Sequence, residues 1–98
     1  MNKTRDILSI IKNLPWVERV GREDVTHNTL YKKHGKVYIT LGEYFKNALP
    51  QERGVTPLEQ AIILVKNSLI RQGINPNSLN FIPKEKEGRI EVTPNDAI

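Results

Sequence analysis

The chain has 98 residues, which is one domain's worth (1–98) rather than two. It is 38% hydrophobic and 27% charged, as in an ordinary folded chain, and no apolar run nears the roughly 18 residues of a membrane helix. Residues 1–14 are too polar for a secretory signal, so the expected location is cytoplasmic. With no cysteine, disulfides, thiolate metal sites and cysteine nucleophiles are excluded.

The net charge is +4 with a pI near 9.5, and it is unevenly placed. Residues 1–50 carry nine bases against five acids, while residues 51–98 carry six of each. The densest point is Lys32, Lys33 and Lys36 around His34, with no acid between Val25 and Gly42. A field of one sign concentrates anionic partners, although surplus lysines also serve solubility alone.

In chain order, residues 4–14 predict an amphipathic helix with Ile7, Leu8, Ile10, Ile11 and Leu14 in one stripe, ended by Pro15. Residues 16–20 are a possible strand, and 21–28 read as a polar loop. Over 28–41 the pattern is β: Val37, Ile39 and Leu41 alternate with Lys36, Tyr38 and Thr40. His34-Gly35 suits a two-residue turn with positive φ, which predicts a hairpin of strands 28–33 and 36–41. Residues 42–49 suggest a short helix with Tyr44, Phe45, Ala48 and Leu49 on its apolar side and Thr40 as a cap.

The strongest helix signal covers 56–72. Thr56 is placed as N-cap, Pro57 at the first helical position, Glu59 as the third residue of a capping box and Gly73 as the left-handed stop. Residues 75–78 form a turn cluster, and 79–83 and 89–93 read as a second hairpin, with Pro83 requiring an edge or a strand end. The expected class is α+β: N-terminal helix, central β-hairpin, short and long helices, C-terminal β-hairpin. This order matches a winged helix-turn-helix outline, an analogy of element order alone. The expected core comprises Ile7, Leu8, Ile11, Leu14, Val37, Ile39, Leu58, Ile62, Val65, Leu69 and Phe81, with Trp16 lying over the first helix.

Two surfaces bear on function. A two-residue turn at 34–35 sets Lys33 opposite Lys36 and Tyr31 opposite Tyr38. One hairpin face then carries Leu30, Val37, Ile39 and Leu41 for the core, with Lys32 at its margin. The other carries Thr29, Tyr31, Lys33, Lys36, Tyr38 and Thr40, expected to face outward as an aromatic pair beside a basic pair. Lysines neutralise phosphates and exposed rings stack on bases, so Tyr31, Lys32, Lys33, His34, Lys36 and Tyr38 are candidate nucleic-acid or partner contacts. Cross-strand tyrosines also stabilise sheets with no ligand, and tyrosine is enriched in protein interfaces. Lys84, Lys86 and Arg89 on the second hairpin form a secondary binding candidate, diluted by Glu85 and Glu87.

The second surface is the long helix. Leu58, Ala61, Ile62, Val65 and Leu69 form one stripe, while Ile63 and Ile70 lie outside it, beyond Glu59 and Lys66. Either they cover the first helix, or they form the oligomer interface of a homodimer.

Enzymatic chemistry is not expected. His27 and His34 lack a metal-ligand spacing, the six glycines are isolated rather than clustered in a phosphate loop, and no Ser-His-Asp set has a nucleophile elbow. No cofactor or metal is implied. The expected function is a small non-enzymatic nucleic-acid-binding or regulatory accessory protein; the alternative is a protein-interaction module, an inhibitor or adaptor docking on a larger partner. No membrane partner is expected. Thr56–Gln60 would make a poor recognition helix, offering one glutamine and an acid, so the first hairpin is the preferred contact.

Overall fold

The computed structural model describes residues 11, 17–22, 26–49 and 54–94. Within these, five strands form one mixed sheet: β1 (Arg19–Gly21), β2 (Thr29–Lys33), β3 (Lys36–Thr40), β4 (Leu79–Lys84) and β5 (Arg89–Pro94). Two α-helices, α1 (Glu43–Ala48) and α2 (Pro57–Arg71), and a 3-10 turn at Pro76–Ser78 complete the described elements. The class is α+β, as expected from the pattern.

The first hairpin forms in the expected register, with Lys33 opposite Lys36, Tyr31 opposite Tyr38 and Leu30 opposite Ile39. Its turn takes positive φ at both His34 (53°) and Gly35 (76°), the mirror-image turn whose twist matches paired strands. The helix α2 is bounded as its sequence dictates. Thr56 Oγ1 accepts from the Glu59 amide, and Glu59 Oε1 accepts from the Thr56 amide. At the other end Gly73 is left-handed, its amide donating to the Ile70 carbonyl and the Ile74 amide to that of Leu69.

The sheet order is β1-β2-β3-β5-β4. The two hairpins therefore join, β3 against antiparallel β5, and β1 adds in parallel to β2. The C-terminal hairpin is not a free wing, so the winged-helix likeness stops at element order. Pro83 lies in β4, an edge strand, where its missing N–H costs no ladder bond.

One sheet face packs on α2. Its core gathers Leu30, Val37, Ile39, Leu41, Leu79, Ile90 and Val92 with Leu58, Ala61, Ile62, Val65 and Leu69, and Ile11 joins it. Of the expected core, Phe81 is only partly buried, packed at the margin. Ile7, Leu8, Leu14 and Trp16 lie outside the described residues, as does the expected helix over 4–14 apart from Ile11, which is helical and buried. Among the described residues no helix is long and apolar enough to cross a membrane.

One local expectation is corrected. Thr40 does not cap α1: Gly42 is the N-cap, without a side-chain cap bond, and the Thr40 hydroxyl instead donates to Tyr31 Oη at 3.0 Å. Gly42 is there because the chain crosses itself. A Cβ at this position would lie 2.9 Å from the His27 backbone, while the Gly42 amide donates to Asn28 Oδ1 at 2.8 Å.

Candidate nucleic-acid interface

The face of the sheet opposite α2 carries the rows set by the register. Tyr31, Tyr38, Glu91 and Ile82 form one row, and Thr29, Thr40, Arg89 and Lys84 the next. The expected outward aromatic patch is not present. Tyr31 is only 3% exposed and Tyr38 7%, and Thr29 and Thr40 are buried beside them. The tyrosine rings stack on each other with centroids 5.7 Å apart and planes 29° apart.

Arg89 closes over them. Its guanidinium carbon sits 3.8 Å from the Tyr38 ring centroid, Nη1 donates to Tyr31 Oη at 3.3 Å, and Nη2 pairs with Glu87 at 3.0 Å. The guanidinium's pKa is raised above its ordinary value, first by the Tyr31 hydrogen bond and then by Glu87, so Arg89 is permanently charged. By its own sequence the hairpin is a two-stranded ribbon with one face open. The pairing of β5 with β3 places Arg89 and Glu91 beside Tyr38 and turns an expected open face into a layer of stacked rings and charge.

The lysines behave differently. Lys32, Lys33, His34 and Lys36 are all exposed at the turn, although Lys36 Nζ also lies 3.4 Å from the buried carboxylate of Glu91. Glu91 Oε1 has no hydrogen-bond partner among the described residues, so this ion pair is its compensation. The six primary candidates are thus split: the two rings are interior, and the three lysines and the histidine are at the surface.

The secondary candidates do not join them. Thr40 pairs with Arg89, so the β4–β5 turn lies at the opposite end of β3 from His34-Gly35, about 17 Å of strand away. There Lys84 and Lys86 alternate with Glu85 and Glu87 around an open concavity of about 380 Å³, and Arg89 is engaged on the tyrosines. Thr56 Oγ1 donates to Glu85 Oε2 at 2.6 Å, which ties the N-terminus of α2 to this end.

That contact orients the molecule. Because α2 starts at the β4–β5 turn and β4 begins just after the turn that follows α2, the helix C-terminus lies at the Lys33–Lys36 end. Exposed Arg71 in its last turn, and exposed Arg22 directly after β1, stand at that end with Lys32, Lys33 and Lys36. Of the described exposed carboxylates, Glu18, Glu43, Glu59, Glu85 and Glu87 all belong to elements at the other end, while Glu23 and Asp24, which follow Arg22 in the sequence, lie outside the described residues. Arg22 and Arg71 were missed in the sequence because they are far apart in the chain; only the ends of β1 and α2, read as sheet neighbours, bring them to the hairpin.

On α2, Ile63 is 56% and Ile70 57% exposed, with Leu64 also at the surface. They do not cover another described element. Among the described residues no group of three or more His, Asp or Glu is placed to hold a metal ion. Compared with known proteins, the chain matches no family model, no curated protein and no solved structure.

Proposed function

We propose that this chain is a small, cytoplasmic, non-enzymatic nucleic-acid-binding or regulatory accessory protein, and that it holds the polyanion at the sheet end formed by the β2–β3 turn. One observation carries the reading: Lys32, Lys33 and Lys36 are exposed together, away from every exposed carboxylate among the described residues. Lysines so placed neutralise phosphates and release counterions, and the field they share raises the rate of encounter. Tyr31 and Tyr38 support the site from below by stiffening the hairpin, rather than by stacking on bases.

The test is a Lys33→Glu/Lys36→Glu double substitution in an electrophoretic retardation assay at low salt. Binding should fall by more than 100-fold with the circular dichroism spectrum unchanged. Full retention of binding in the substituted protein removes the hairpin from the function.

The second reading is a protein-interaction module. It is favoured by Ile63, Leu64 and Ile70, a set of exposed large apolar side chains on one regular helix. Complex formation that resists high salt and is lost in Ile63→Asp/Ile70→Asp would favour it over the first.

A further inference from the structure

We infer that the polyanion is a double-stranded nucleic acid gripped through its phosphates alone, and that Arg22 and Arg71 belong to the same binding surface as Lys32, Lys33 and Lys36. This deepens the reading above and rests on it.

The argument starts from what the rings do. Single-strand binders add base stacking on exposed aromatics to their electrostatic attraction. Here Tyr31 and Tyr38 are buried, with Arg89 stacked on Tyr38, and Phe45 and Phe81 are partly buried against the core, so none of these four rings stands out to a base. Among the rings whose side chains are described, none is a stacking platform, and what remains there is charge. A duplex carries one phosphate per ~1.7 Å of axis, about twice the density of one strand, so a surface with cations and no stacking platform gains most from a duplex.

The cations are also spread to suit it. Arg22 leaves β1 and Lys36 opens β3, two strand spacings away in the order β1-β2-β3, about 10 Å. That is close to the ~12 Å width of the major groove, so the two can meet phosphates on opposite sides of one groove while the Lys33–Lys36 turn points between them. Arg71 adds a cation from the helix layer, beyond the plane of the sheet. It also complements the negative end of α2, a structural role that leaves its exposed guanidinium free of any carboxylate among the described residues. Contacts of this kind carry no base information, so affinity should be nearly uniform across duplex sequences.

The experiment is fluorescence anisotropy with a labelled DNA duplex and with one of its strands alone, each over a range of salt, using the full chain and the variants Arg22→Gln and Arg71→Gln. The expected result is duplex binding at least ten-fold tighter than single-strand binding. The slope of log K on log salt should be about −4 to −5 for the five cations. Each variant should reduce that slope by about 1 without altering the circular dichroism spectrum. Equal or tighter binding of the single strand overturns the inference, and so does an unchanged duplex slope in both arginine variants. In those cases the reading above survives if Lys33→Glu/Lys36→Glu still weakens binding. Absence of binding to either nucleic acid removes both.

Discussion

The two hairpins of this protein carry similar sequence signals and put them to different uses. Around the first turn stand Lys32, Lys33 and Lys36; around the second, Lys84, Lys86 and Arg89. At the first, the bases are exposed, and Lys36 lies 3.4 Å from the buried carboxylate of Glu91. At the second, Glu85 and Glu87 alternate with the lysines, Glu87 holds Arg89, and Glu85 holds Thr56. Counting bases does not separate the hairpins. The exposed acids among them do, because Glu85 and Glu87 at the second turn offset the field of its lysines, whereas no acid stands in the sequence between Lys32 and Lys36.

Arg89 is where the comparison can be broken most forcefully, since it originates in the second hairpin but covers the tyrosines of the first. Arg89→Ala removes a cation–π contact and a charged hydrogen bond to Tyr31, and should cost about 3 kcal/mol in urea unfolding. Arg89→Lys should recover less than half of it, because an ammonium cannot stack and bridge at once. If Arg89→Ala unfolds at the same urea concentration as the unmodified protein, the covering layer contributes nothing.

Gly42→Ala should follow at about 2 kcal/mol. The added methyl meets His27 backbone rather than a movable side chain, at the crossing of the segments that enter β2 and leave β3. Thermal unfolding would report it as a fall of several degrees in Tm.

The two tyrosines sharpen the contrast further. Tyr31→Phe loses the hydroxyl that accepts from both Thr40 and Arg89, and should cost about 1.5 kcal/mol. Tyr38→Phe keeps the ring under Arg89 and should cost less than about 0.5 kcal/mol. Equal costs would contradict the assignment of the hydrogen bonds to Tyr31. The smallest effect belongs to Lys84→Glu/Lys86→Glu, which should change nucleic-acid binding by less than about three-fold, against the large loss expected for the same reversal at Lys33 and Lys36. A loss of similar size at both turns would mean that the second hairpin also binds.

Much of the local structure is legible in the sequence. The α2 boundaries follow from Thr56, Pro57, Glu59 and Gly73, since caps and stops act within one helical turn. The strand register follows from His34-Gly35, because a two-residue turn leaves one way to pair the flanking residues. The candidate site is legible only in part. Its lysines lie within five residues of one another and needed no tertiary information to be grouped. The burial of its tyrosines is not legible there, because alternation assigns a residue to a face without saying what lies across that face.

By itself, then, the sequence determined where the chain turns, caps and alternates, and that its surplus charge gathers at residues 32–36. The tertiary structure alone decided that β5 pairs with β3, that Tyr31 and Tyr38 are buried with Arg89 stacked on Tyr38, and that Arg22 and Arg71 stand at the same end as the lysines. The division has a physical cause. Turns and caps depend on hydrogen bonds between residues a few positions apart, whereas the state of a sheet face depends on strands brought alongside from about 50 residues away, and no periodicity in either segment encodes that meeting.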